Sequence, residues 1–163
     1  MVREISAGGV VLRKRAEAWL TVVIELPYKS EASTAPSGKV KIAKPVLALP
    51  KGLVDPGEMP LETAVREVFE ETGVNAEVIT KLGDIKYIYT RTWGDGGRVF
   101  KIVSFYLMRY RSGRIDEITA EMRIEVARAR WVRLEEATSL LAYKGEKQMA
   151  RRALDYVIAH ADL

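Results

Sequence analysis

The sequence predicts an α/β domain built on a mixed β-sheet with few helices. Short β-branched runs recur along the chain, and strand-like and helix-like stretches alternate instead of segregating. One stretch, residues 60–72, has apolar residues at clear helical spacing. With 163 residues, 48% of them hydrophobic, the chain has enough material for one core, and a single domain over residues 1–163 is expected.

Ala7 to Arg13 and Trp19 to Leu26 are β-branched runs around a polar turn and predict a hairpin. Tyr28 to Lys44 has no period, contains Pro36 and Gly38, and reads as a long loop. Val46 to Leu49 is a short buried strand ended by Pro50. From Pro60 to Thr72, Leu61, Val65, Val68 and Phe69 form one apolar stripe, with Pro60 suited to the first turn and Gly73 to the position past the end. Strands follow over Asp84 to Thr90 and Arg98 to Tyr110, joined by the turn-forming Gly94-Asp95-Gly96-Gly97. A short strand around Trp131, a helix from Glu135 to Ala142 and an amphipathic helix from Gly145 to Ala159 complete the order.

Composition narrows the chemistry. The chain has no cysteine and one histidine, His160, which removes disulfide scaffolds, Cys/His zinc sites, thiolate nucleophiles and a His-based triad. At 29% charged residues with ordinary aliphatic content, it is not a disordered chain. No stretch approaches the roughly 18 apolar residues of a membrane span, and the first residues lack a signal-like apolar core, so a cytoplasmic location and no membrane partner are expected. The net charge of +4 is unevenly placed: Lys29, Lys39, Lys41, Lys44 and Lys51 share one stretch with only Glu31 against them. Such a neighbourhood suits an anionic partner, either nucleic acid or a small phosphorylated ligand, and equally a solvated loop.

Glu67, Glu70 and Glu71 stand at i, i+3 and i+4 on the clearest helix and share one face. Like charges at this spacing repel, and Arg66 alone cannot neutralise three of them. An oxygen-only cluster suits Mg²⁺ or Mn²⁺. Taken alone, three such acids equally describe the solvated side of an amphipathic helix.

Their surroundings decide. Gly52-Leu53-Val54-Asp55-Pro56-Gly57-Glu58, seven further residues, and Arg66-Glu67-Val68-Phe69-Glu70-Glu71-Thr72-Gly73-Val74 match every defined position of the Nudix box, a coincidence of about one window in 10⁸ by composition. The chain therefore resembles the Nudix hydrolases, the MutT-like family. That resemblance implies an α/β/α sandwich around a mixed sheet and hydrolysis dependent on divalent cations. It matches Glu70 and Glu71 to the metal-ligand pair and Glu67 to a third carboxylate that binds metal or handles the attacking water. It matches Arg66 to the arginine that holds a box glutamate, Gly52 to a backbone carbonyl donor and Glu58 to a loop buttress.

Further residues resemble particular branches. Glu125, six residues before Trp131, is a candidate general base or extra ligand, with Glu121 its competitor and a plain surface acid the alternative for both. Lys101 interrupts the otherwise apolar row Val99, Val103, Phe105, Leu107, where a lysine must meet an anion or reach the rim. Val99 to Met108 resembles both dinucleoside polyphosphate hydrolases and the related oxidised-nucleotide sanitising branch. Leu49-Pro50-Lys51-Gly52 and Leu141-Ala142-Tyr143 followed by Glu146 resemble the former, and the likeness implies phosphate contacts for Lys51 and Lys101. Tyr28, Tyr87, Tyr89, Trp93 and Tyr143 are available to stack a base, though core packing is the ordinary role of any one of them.

The reading is a nucleoside polyphosphate hydrolase, with diadenosine polyphosphates as substrate and ATP among the products. Its rivals are 8-oxo-dGTP, ADP-ribose, diphosphoinositol polyphosphates, 5′-triphosphorylated RNA, and a non-catalytic nucleic-acid-binding Nudix module. A nucleotide partner, no stable nucleic-acid complex, and a monomer or homodimer are expected. The sequence leaves the base, the phosphate number and the general base open.

Overall fold

The computed structural model describes residues 1–27 and 44–163. The expected loop from Tyr28 to Lys44 lies outside the described residues except for Lys44.

β1 (Val2–Arg15) and β2 (Ala18–Glu25) form the expected hairpin. Its two-residue turn has both Ala16 and Glu17 at positive φ, the arrangement that matches the strands' right-handed twist. β3 (Leu47–Ala48) pairs with β2, and β4 (Lys51–Leu53) pairs with β1 on the edge that faces away from β6. α1 (Pro60–Thr72) keeps the expected bounds, with Pro60 in the first turn. Gly73, at φ 83°, ends it by donating its N–H to the Phe69 carbonyl at 2.8 Å. β5 (Val74–Thr90) and β6 (Arg98–Gly113) form a long antiparallel ribbon, followed by β7 (Arg128–Arg133), α2 (Leu134–Leu140) and α3 (Lys144–Ala159).

Three expectations need correction. β5 starts at Val74 rather than Asp84, because register shifts at Asn75/Ala76, Val78/Thr80 and Lys81/Gly83 break the alternation that marks a strand. β4 gave no strand signal, since three residues centred on glycine pair only because β1 lies beside them. The helix expected over Glu135 to Ala142 runs from Leu134 to Leu140, where Leu141 turns to an extended conformation.

The strand order is β3-β2-β1-β6-β5, with β4 on β1 and β7 on β2. β1 and β6 run parallel and the other pairs antiparallel, so the sheet is mixed. One face carries Val10, Leu12, Val103, Phe105 and Leu107 against Ala137 of α2 and Met149 and Ala153 of α3. The other carries Val11, Val22 and Met108 against Ala64 and Val68 of α1. Each fully buried Leu, Val or Phe contributes about 1.5–3 kcal/mol, so both layers bind firmly to the sheet. The result is the expected α/β/α sandwich. Among the described residues, no helix is long and apolar enough to cross a membrane.

Candidate active site

α1 packs on the sheet through Thr63, Ala64, Val68 and Thr72, which carries Glu67 and Glu71 inward to 9% and 5% exposure. This corrects the stripe read from the sequence: Val68 is buried and Val65 half-buried, while Leu61 and Phe69 stay exposed. Glu70 stays at the rim. The Lys51 backbone N–H points at both Glu71 carboxylate oxygens across 3.4 Å, a long contact. Gly52 faces Glu67 so closely that a Cβ there would stand 2.1 Å from the carboxyl carbon. β4 therefore closes one side of the carboxylate site, and a side chain at position 52 fits only if the Glu67 carboxylate swings away.

Electrostatics show what this site favours. Burial pushes the Glu71 carboxyl up to about 8, with the Lys51 ammonium opposing and the neighbouring Glu67 charge adding to the rise. Burial also raises Glu67, opposed by Arg66 and reinforced by Glu70 and Glu125. Two buried carboxylates that repel each other call for added positive charge, and an all-oxygen donor set fits a hard divalent cation. Among the described residues, no three acidic side chains already converge as a closed cation cage. Glu67 and Glu70 instead share the Arg66 guanidinium.

Arg66 Nη1 donates to Glu67 Oε1 at 2.9 Å and to Glu70 Oε2 at 3.1 Å. Its Nε and Nη2 grip both oxygens of Glu58 at 2.7 and 2.8 Å, and Nη2 also reaches the Leu53 carbonyl at 3.2 Å. Those bonds from Arg66, together with the Thr63 hydroxyl, hold the Glu58 carboxyl down at about 2. Glu58 thus buttresses the loop, and the arginine ties the loop to the carboxylate face of the helix.

Glu125 follows a 3₁₀ turn, Met122–Ile124, and donates its N–H to the Met122 carbonyl at 2.9 Å. It lines an acidic hollow of about 430 Å³ with Glu70 and Glu121, and its charge reaches both Glu67 and Glu71. Asp116 fixes this segment by accepting bonds from Arg123 Nη1 at 2.7 Å and from the Ala129 N–H at 2.9 Å. The bond from Arg123 lowers its carboxyl below the usual range. A depressed carboxylate stabilises the fold above its unfolded value and loses that contribution as pH falls. Asp116→Asn is therefore expected to cost about 1 kcal/mol near neutrality, discounted for partial exposure. In thermal melts, the gap from the wild type should narrow below about pH 4.

On the opposite sheet face, Lys51, Ile85, Tyr87, Phe105, Tyr143 and Glu146 line a cleft of about 420 Å³. Lys51 Nζ lies 3.3 Å from Glu146 Oε2. Lys101 sits further along that face, 8% exposed, bonded to Glu4 and, at 2.6 Å, to Ser6 Oγ. The Tyr89 hydroxyl donates to the same Glu4 at 2.9 Å. The structure thus gathers Arg66, Glu67, Glu70, Glu71, Gly52 and Glu125 around one region and Lys51 beside it, while Lys101 is balanced by Glu4. Of the candidate base-stacking aromatics, Tyr87 and Tyr143 line the cleft, Trp93 is exposed in the segment joining β5 to β6, and Tyr28 lies outside the described residues. Glu146 was noted in the sequence only as part of a similar run of text; its partners are about a hundred positions away and leave no local signal.

The model of the NUDIX domain family matches residues 3–154. The chain belongs to the Nudix hydrolase family. Among its Nudix relatives, a Mycobacterium tuberculosis (strain CDC 1551 / Oshkosh) protein whose given name is mutator protein MutT4 is 35% identical over 152 residues, 93% of this chain and 55% of that one. The asymmetrical bis(5′-nucleosyl)-tetraphosphatase of Mus musculus is 35% identical over 104 residues, 60% of this chain and 63% of the enzyme. The chain thus spans a little over half the length of these curated relatives. A solved Caenorhabditis elegans Ap4A hydrolase binary complex superposes with a TM-score of 0.66 at 20% identity, over 96% of this chain and 98% of that one. That likeness establishes the Nudix fold.

Proposed function

We propose that the protein hydrolyses a phosphoanhydride bond of nucleoside polyphosphates with Mg²⁺ or Mn²⁺, and that diadenosine polyphosphates are its substrate class. The observation that carries this is the placement of Lys51: its backbone N–H addresses Glu71 in the carboxylate site, while its side chain enters the aromatic cleft. A base seated between Tyr87 and Tyr143 would lay its phosphates across β4 towards Glu67, Glu70 and Glu71. The tetraphosphatase relative supports the same substrate class.

A bound divalent cation supplies neutralisation of phosphate charge and acidification of coordinated water. Glu67, Glu70, Glu71 and the Gly52 carbonyl would hold it, and Arg66 would orient Glu67 and Glu70. Glu125 is assigned the proton of the attacking water. Water oxygen bonds to phosphorus, the anhydride P–O bond breaks, and the released nucleotide, ATP from a dinucleoside polyphosphate, carries the former bridging oxygen. Lys51 meets the phosphate chain as a point charge. Lys101 reaches phosphate only by giving up Glu4, so it ranks second.

A product-resolved nucleotide screen with either cation tests the reading, and ATP is expected from diadenosine tetra- to hexaphosphate. Far better cleavage of ADP-ribose or 8-oxo-dGTP would overturn the substrate class. Tight, salt-sensitive nucleic-acid binding with no turnover would overturn the enzyme. Lys51→Ala is expected to lower kcat/KM on diadenosine tetraphosphate about tenfold, one charge-assisted contact at 1.4 kcal/mol per decade.

A further inference from the structure

The Leu49–Gly52 segment serves both faces of the sheet, and something must hold it in place where its pairing breaks. β3 ends at Ala48 and β4 begins at Lys51, so Leu49 and Pro50 fall between two ladders. Leu49 is fully buried, and among the described residues its N–H has no strand partner. Pro50 has no N–H, and its carbonyl accepts from Gly9 at 3.2 Å. The Leu49 donor is satisfied by Glu146, from the first turn of α3, at 2.6 Å.

We propose that Glu146 is a positioning residue for the cation site on the far side of the sheet. It is 3% exposed and holds the segment twice, through the Leu49 N–H with one oxygen and the Lys51 ammonium with the other. The next backbone groups are the Lys51 N–H, aimed at Glu71, and Gly52, set against Glu67. Leu49 and Lys51 are two residues apart, so a carboxylate fixing both sets the height of β4 against α1. Packing leaves the strand little slack: a Cβ on Gly8 would meet the Pro50 oxygen at 2.2 Å. Glu146 itself lies in the cleft and stands behind the strand that the cations face. Its removal would leave a buried N–H without an acceptor and a lysine without its anchor, and both would pull Leu49–Lys51 away from the register that aligns Gly52 with Glu67.

The inference rests on the proposed cation site, so its test reads cation binding directly, by Mn²⁺ titration followed by electron paramagnetic resonance on the substrate-free protein. Glu146→Ala, shown to be folded by circular dichroism, is expected to weaken Mn²⁺ binding about tenfold. Glu146→Gln keeps an acceptor for Leu49 and is expected to recover most of that affinity, while retaining a raised KM because the lysine anchor has lost its charge. Glu146→Asp, whose carboxylate falls short by one methylene, covers the case in which the alanine variant does not fold, and is expected to weaken Mn²⁺ binding several-fold. Wild-type Mn²⁺ affinity in a folded alanine variant, or in the aspartate variant if alanine does not fold, overturns the proposal and leaves the cation site standing. A wild type that takes up no Mn²⁺ removes the cation site and this role together.

Discussion

Glu70→Gln is expected to lose two or more orders of magnitude in turnover while its melting temperature stays close to that of the wild type. Replacing one charged ligand of a catalytic cation removes several kcal/mol of charge stabilisation, and about 1.4 kcal/mol corresponds to a decade in rate. Stability has little at stake, because the Glu70 side chain is 39% exposed and, among the described residues, its one ion pair is with Arg66. Such pairs contribute less than about 1 kcal/mol. Arg66 also keeps its two-pronged grip on Glu58. Steady-state kinetics over a Mg²⁺ and Mn²⁺ series, beside a thermal melt, read both halves. Wild-type turnover in a folded Glu70→Gln protein would remove Glu70 from the cation site.

Gly52→Ala should do comparable damage with one added methyl group. That methyl would stand 2.1 Å from the Glu67 carboxyl carbon and 2.3 Å from each of its oxygens, inside any real contact distance. Gly52 has no positive φ, so backbone preference contributes nothing and the whole effect is steric. Either Glu67 swings away or β4 lifts from α1, and each outcome separates donors that must converge. Because the atoms in the way are the free end of the Glu67 side chain, the stability cost should fall below the roughly 1–3 kcal/mol of core overpacking, while turnover should fall a hundredfold or more as the site loses its geometry. A folded Gly52→Ala protein with full activity would show that Glu67 is not needed where the structure puts it.

Some of this was legible in the sequence and some could not be. The bounds of α1 were plain because Pro60 and Gly73 frame its thirteen residues, signals of local origin; its buried face was not, since Leu61 and Phe69 stay exposed while Glu67 and Glu71 turn inward. That Glu67, Glu70 and Glu71 share a helix face was readable from their spacing, whereas the tie from Arg66 to a box glutamate came only with the resemblance to the Nudix box. The first half of β5 was not, since its register shifts erase the alternation a reader looks for. β4 was invisible because its pairing belongs to β1. Neither Glu4 opposite Lys101 nor Glu146 beneath Lys51 could be read, for those partners meet only through the topology of the sheet. A lysine in an apolar row announces that it needs an anion without saying whether the anion is substrate or a neighbouring strand.

The parallel pairing of β1 with β6 has a consequence for how the molecule comes into being. Val2 meets Val99 and Leu12 meets Arg109, so the central ladder of the sheet joins segments 97 positions apart. Loop closure over that distance must come before the ladder returns any stabilisation. A nascent chain emerging from the ribosome can form the β1–β2 hairpin and α1 early, yet both remain on an unfinished sheet until β6 has been made. The carboxylate site is therefore among the last features to acquire its shape, and a chain interrupted before β6 has the glutamates of α1 without the framework that arranges them.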